Sequence, residues 1–261
     1  MSKEYTTKIV FGKEFKLGES KKFDRDLETV ETILNKEELT EIDRYILLSV
    51  YQTAYHDSGK VIGTTTLDSS AHNCTFCEKM QKAAEKNPDH ICNKCYDKKN
   101  ESYRKYIKNR HTLNLLIMSS VRFTVKELSR LTVTNIIRIN SSGDIENQIH
   151  AENMINIAYA FPWARVGFWT KNIKDVTAAI DKLGKPENLI LVQSSPIKGR
   201  PARRAKYFDY VFTVYPDKES TEKAITAGAC ECDGKECRAC GYKCYFGTWE
   251  KGANIAEVLR K

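Results

Sequence analysis

The 261-residue chain carries a formal net charge of +8, 41% hydrophobic residues and nine cysteines. No apolar run approaches the ~20 residues of a membrane helix, and the opening Met1-Ser-Lys-Glu-Tyr is polar, so neither a span nor a signal peptide is expected and a cytoplasmic protein is. In that compartment, cysteines crowded into residues 74–95 and 230–244 point to metal rather than to disulfides.

Residues 1–20 read as a short strand, Lys8-Ile-Val-Phe11, and a glycine-rich turn. Residues 21–60 read as helical. Leu27, Val30, Ile33 and Leu34 share one apolar face; Thr40 caps a second helix carrying Ile42, Tyr45, Ile46, Ser49 and Val50, which Ser58-Gly59 ends. Residues 61–67 suit a strand. It leads into Cys74-x2-Cys77 and, fourteen residues on, Cys92-x2-Cys95. A C-x2-C turn aims two sulfurs at one ion, and two such turns complete a tetrahedral set. The same thiolates suit a 4Fe–4S cluster, so Zn and iron–sulfur both stay open. His72 and His90, each two residues before a cysteine, read as neighbours of that site rather than ligands.

A long polar helix is expected over 96–109, then an apolar segment over 113–118 and a helical turn or two over 125–131. The basic residues Lys98, Lys99, Arg104, Lys105, Lys108 and Arg110 stand there against Asp97 and Glu101. Four apolar runs follow at even spacing, over residues 135–140, 165–170, 189–193 and 210–215. They are rich in β-branched and aromatic residues, and helical stretches separate them, as in a parallel sheet. Ile145, Ile149, Met154, Ile157 and Ala158 suit the buried face of the first helix, which Pro162 ends. Asn172 caps the next, which Gly184 and Pro186 stop; Ser220 caps a short one ending at Gly228. The strand tails are polar: Asn140-Ser-Ser142-Gly143-Asp144, Thr170-Lys171-Asn172, Gln193-Ser-Ser195 and Tyr215-Pro-Asp217. In parallel sheets and barrels, sites gather at those ends.

The expected catalytic residues are therefore Asp144, Lys171 and Gln193, with Ser195 lining the same pocket. Asp144 also suits an N-cap of the next helix. Lys198, Arg200, Arg203, Arg204 and Lys206, a run without acids, suit a nucleic acid or nucleotide phosphate. The second thiol cluster is Cys230-x-Cys232-x4-Cys237-x2-Cys240-x3-Cys244. Four of its five sulfurs close a metal site, with turns supplied by Gly228, Gly234, Gly241 and Gly247. Cys232, Cys237, Cys240 and Cys244 are the expected ligands and Cys230 the spare. A short helix over 255–259 ends the chain. The fold expected is α/β, a parallel partial or complete (β/α) barrel. An N-terminal helical segment (1–70) precedes a core with the first cluster (71–228) and a Cys-rich metal-binding element (229–261).

Several of these residues together resemble the phage and mobile-element family called gene product 88. They are Cys92-Asn-Lys-Cys95-Tyr96, Arg138-Ile-Asn-Ser-Ser-Gly-Asp144, Phe161-Pro162, Phe168-Trp-Thr-Lys-Asn172, Asn188-Leu-Ile-Leu-Val-Gln-Ser-Ser195 and Cys237-x2-Cys240-Gly-x2-Cys244. That family is in turn similar to radical S-adenosylmethionine (SAM) barrel enzymes, in which Ser142-Gly143-Asp144 would fill the place of a Gly-Gly-Glu-like turn. The superfamily's C-x3-C-x2-C spacing is absent, and an open iron requires that one of Cys74 and Cys77 is not a ligand. The first reading is an iron–sulfur enzyme, radical-SAM-like by this resemblance, acting on a nucleic acid or nucleotide whose phosphate the basic segments would hold. Two other readings stand beside it. One is a zinc transglycosylase-like base-modifying enzyme, with Asp144 or Asp217 as its carboxylate. The other is a zinc protein that binds nucleic acid or a host protein without catalysis.

Overall fold

The four apolar runs form the middle of one sheet. In the computed structural model, which describes residues 5–10, 13–18, 20–232 and 236–259, they are strands β5 (Ile136–Ile139), β6 (Arg165–Thr170), β7 (Leu189–Ser194) and β8 (Tyr210–Tyr215). Four further strands extend it: β3 (Ala54–Tyr55), β4 (Thr65–Leu67), β9 (Cys230–Cys232) and β10 (Asn254–Val258). The order is β3-β4-β5-β6-β7-β8-β10-β9, parallel except for the β3/β4 pair. A separate antiparallel hairpin joins β1 (Tyr5–Val10) to β2 (Lys13–Gly18); Phe11 and Gly234 lie outside the described residues.

The eight-stranded sheet is not closed, since β3 and β9 are its edges. It is nevertheless curled. Lys60, ahead of β4, pairs at 2.6 Å with Glu257 on β10, five strands away. In a flat sheet those strands would stand ~24 Å apart.

Alternation along the strands divides the side chains between two cores. Ile137, Ile139, Val166, Phe168, Leu189 and Leu191 face the larger one. Helices cover it: α1 (Lys21–Leu34), α2 (Glu41–Val50), α5 (Lys105–Ser120), α7 (Gln148–Ala160) and α8 (Ile173–Leu183). Trp169, Val192, Tyr210 and Ile255 face the other, and the C-terminal element covers them with Cys244 and Tyr245 of α10 (Lys243–Phe246). Gly167 of β6 permits this. A Cβ there would lie 2.5 Å from the Trp169 ring and 2.7 Å from that of Tyr245. The remaining helices are α3 (Thr75–Glu85), α4 (Tyr96–Tyr103), α6 (Val125–Leu128) and α9 (Lys218–Thr226). Among the described residues no helix is long and apolar enough to cross a membrane.

Several expectations are corrected. The single helix expected over 96–109 is broken at Arg104 (φ −123°, ψ 85°), where a polar, partly exposed α4 gives way to the buried α5. The second N-terminal helix stops at Val50, not at Ser58-Gly59, because Tyr51 is already extended. Residues 254–258 are a strand: Ile255 and Ala256 are fully buried between β8 and β9, and pairing overrides the helical propensity of Ala, Glu and Leu. Asp217, not Ser220, caps α9, accepting the Ser220 N–H at 2.8 Å. Asn147, not Asp144, caps α7, accepting the His150 N–H at 3.0 Å.

Candidate functional site

Asp144 is a brace. It is 3% exposed, and its carboxylate accepts the Ile145 N–H (2.8 Å), the Thr170 hydroxyl and the Lys171 N–H (2.9 Å). The tail of β5 is thereby fastened to that of β6. The tail of β4 is fastened to β5 in turn. Ser69 donates its N–H to the Ser142 carbonyl (3.2 Å) and its hydroxyl to the Asp144 carbonyl (3.0 Å), while Asp68 accepts the Ser142 N–H at 2.9 Å. Contact is so close that a Cβ on Gly143 would sit 2.3 Å from the Ser69 carbonyl oxygen, and Gly143 is left-handed (φ +77°). Only glycine fits there.

Around this braced rim stand the first four cysteines. Cys74 is buried and caps α3. Its sulfur accepts the Cys77 N–H at 3.4 Å and approaches the Asp144 carbonyl at 3.9 Å. Cys77, Cys92 and Cys95 are partly exposed. Lys171 lies among them. Burial alone would depress its ammonium, but the Asp144 carboxylate, then the Cys92, Cys77 and Cys95 sulfurs, outweigh this, and its pKa is raised. Among the described residues the Lys171 amine has no hydrogen-bond or ion-pair partner. Hydrogen bonding with Cys74, then burial, pushes the Cys77 thiol well up; burial raises Cys92 and Cys95. Asp97, two residues beyond Cys95, is raised to about 7 by burial and by the nearby Glu101 and Asp68.

Glu101, tallied in the sequence only as an acid within a basic run, links the two cysteine turns. It is 0% exposed and accepts four hydrogen bonds: the Ser70 hydroxyl (3.0 Å), the Ala71 N–H (3.1 Å), the His72 N–H (3.2 Å) and His111 Nδ1 (2.9 Å). The loop before Cys74 is thus tied to the helix after Cys95. Glu146 adds a second tie, accepting the Thr75 N–H at 2.6 Å. His90 accepts the Cys92 N–H on Nδ1 (3.2 Å), and His72 Nε2 contacts the Lys98 carbonyl (2.9 Å), so both buttress the turns. None of Asp68, Glu101, His111 or Glu146 carries a local motif; the bonds that tie Asp68 to Ser142, Glu101 to Ser70 and Glu146 to Thr75 span 74, 31 and 71 residues.

The other expected residues stand on the neighbouring strand end, where Gln193 is in register with Thr170. Gln193 spends both ends of its amide on the loop between β7 and β8, donating to the Arg203 carbonyl (3.1 Å) and accepting the Ala205 N–H (2.8 Å). Ser195 accepts the Ala202 N–H at 2.8 Å. That loop carries Lys198, Arg200, Arg203 and Arg204. It joins the second cysteine turn through Ile91 N–H to the Pro196 carbonyl (2.8 Å) and Lys198 N–H to the Asp89 carbonyl (2.9 Å). Two buried polar atoms at the end of β5 have no partner, Asn140 Oδ1 and Ser142 Oγ, and Asn140 is itself left-handed (φ 56°).

The second cluster lies against the inner core. Burial pushes the Cys244 thiol up to about 12, with Cys232, Cys237 and Cys240 adding to the effect and Arg138 opposing it. Arg138 stacks at 3.3 Å on the Trp169 ring. Cys230 lies instead in the field of Lys243. Among the described residues no three His, Cys, Asp or Glu side chains are already posed around one metal position, in either cluster. The donor chemistry, four soft sulfurs from two tied turns, nevertheless fits zinc or an iron–sulfur cluster.

Compared with known proteins, the family model described as Gene product 88 matches residues 29–253. No curated protein and no solved structure matches the chain.

Proposed function

This chain belongs to the gene product 88 family, and from that premise we propose that it is a phage metalloprotein of the bacterial cytoplasm, an iron–sulfur, radical-SAM-like enzyme acting on a nucleic acid or nucleotide. One observation carries the reading: two cysteine turns, one set against the Asp144 carbonyl and the other held on the Pro196 carbonyl, meet the carboxyl ends of parallel strands, where Lys171 follows β6. Cys74 differs from Cys77, Cys92 and Cys95: it is buried, and its sulfur accepts the Cys77 N–H, approaches the Asp144 carbonyl and hydrogen-bonds with the Cys77 thiol. Cys77, Cys92 and Cys95 would hold a 4Fe–4S cluster together with S-adenosylmethionine, a group that would supply one-electron chemistry when bound.

The chain's own residues do the rest. Lys171 offsets the thiolate charge and offers an ammonium to an anionic group. Asp144 and Thr170 hold the Lys171 backbone. Asn140 Oδ1 and Ser142 Oγ offer buried hydrogen-bonding atoms to a ligand at the same strand end. Lys198, Arg200, Arg203 and Arg204 supply phosphate contacts beside the second turn. Cys232, Cys237, Cys240 and Cys244 would hold a structural metal, which would fasten the C-terminal element to the sheet. The transglycosylase alternative finds less support, since Asp217 is an exposed helix cap and three donors occupy the Asp144 carboxylate.

Single cysteine-to-serine variants, purified without oxygen, test the assignment. Cys77→Ser, Cys92→Ser and Cys95→Ser lose first-site iron and sulfide, whereas Cys74→Ser keeps them. Equal loss in Cys74→Ser contradicts the three-thiol set.

A further inference from the structure

The basic run over residues 97–110 does not present its acids to water. Glu101 is fully buried on four donors, and Asp97 is partly buried beside the thiol site. What faces outward is aromatic and cationic. Tyr96, Tyr103 and Tyr106 are 64%, 61% and 68% exposed, a heavy concentration for eleven residues of sequence. Lys94, Lys99 and Arg104 are exposed with them. On α4, positions 96, 99 and 103 share one face. Tyr96 and Tyr103 are therefore separated by ~10 Å along the helix, with Lys99 between them. Past the break at Arg104, Tyr106 borders a cleft of about 230 Å³ lined by three cations, Lys22, Lys105 and Arg110, against one acid, Asp26. The loop bearing Arg200, Arg203 and Arg204 meets the second cysteine turn through the His90 and Ile197 bridge.

We propose that this face, Tyr96–Lys99–Tyr103 on α4 continued by Tyr106 and its cleft, binds single-stranded nucleic acid and leads it to the strand-end site. Cations track a phosphate backbone, and exposed tyrosine rings give unpaired bases a surface to stack on. A duplex keeps its bases stacked and gains only the electrostatic part. Tyr96 directly follows Cys95, so a strand lying on the stripe arrives at the cysteine turn. The inference rests on the phosphate-bearing substrate of the proposed function, and it is independent of which metal the thiols hold.

The test is fluorescence anisotropy of a labelled 12-mer oligothymidylate titrated with the full chain, at low and at moderate salt. The oligonucleotide binds, affinity falls at least tenfold over that salt range, and a 12-base-pair duplex binds more weakly. Tyr96→Ala and Tyr106→Ala each weaken binding about tenfold, and Tyr→Phe at the same positions restores it. Both tyrosines are exposed, so unchanged melting temperatures verify the fold. Binding is read without turnover, and the iron, sulfide and zinc content of the same protein is measured beside it, which separates failure of this surface from failure of the metal site. No binding at low salt, equal binding of the duplex, or full affinity in the alanine variants overturns the proposal.

Discussion

Replacing Glu101 with alanine removes the acceptor of four hydrogen bonds at a position with 0% exposure. Two backbone N–H groups, a hydroxyl and an imidazole nitrogen lose their partner together. Each orphaned buried donor costs ~1–3 kcal/mol, and relaxation recovers part of the sum, so a net loss of about 3–5 kcal/mol is expected. For a chain of this size that lowers the melting temperature by roughly 10 °C. Glu101→Gln keeps one acceptor oxygen and turns an N–H2 toward the remaining donors, so its loss is intermediate. Because Glu101 ties the loop before Cys74 to the helix after Cys95, metal bound by the first thiols falls with it. Melting curves and metal content of the three proteins, purified side by side, provide the assay. A Glu101→Ala protein that melts within ~2 °C of the parent refutes the reasoning.

Gly143→Ala forces a Cβ to 2.3 Å from the Ser69 carbonyl in a left-handed conformation. A loss of at least ~2 kcal/mol is expected, read as a lower urea midpoint; an unchanged midpoint contradicts the packing. Gly167→Ala drives into Trp169 and Tyr245, costing ~1–3 kcal/mol, and a Trp169→Leu change recovers part of that loss. Strict additivity of the two would contradict direct contact. Burial of His150 lowers its pKa from 6.5 to about 4. The neutral ring is favoured in the folded chain, so this contribution is complete above pH 6.5 and lost as pH falls toward 4, about 3 kcal/mol in all. His150→Gln flattens that acid limb in stability-versus-pH curves; an unaltered limb would place the titrating group elsewhere.

How much of this was legible in the sequence depended on whether the signal was local. β6 and β8 were readable residue for residue because β-branched and aromatic runs end at polar tails. The polar tails correctly marked the rim. Their individual roles were not readable, because they depend on distant partners. Asp144 resembles a helix cap locally, yet its partners are Thr170 and Lys171. Gln193 and Ser195 resemble pocket residues, yet they tie down the loop that replaces a helix between β7 and β8. Glu101 and Glu146 had no signature, since their partners lie as far as 31 and 71 residues away. The last strand was read as a helix because its composition favours one; only pairing with β8 and β9 decides otherwise. The open sheet edges likewise follow from the short β3 and β9, which no periodicity announces.

The central claim is that the thiols of the first cluster hold a metal group at the strand ends. Anaerobic purification of the full chain, a visible spectrum, and iron, sulfide and zinc analysis test it most directly. The account predicts a brown protein absorbing near ~400 nm with roughly four or more irons and matching sulfide. A colourless protein that takes up neither iron nor zinc, even after anaerobic reconstitution, would contradict it.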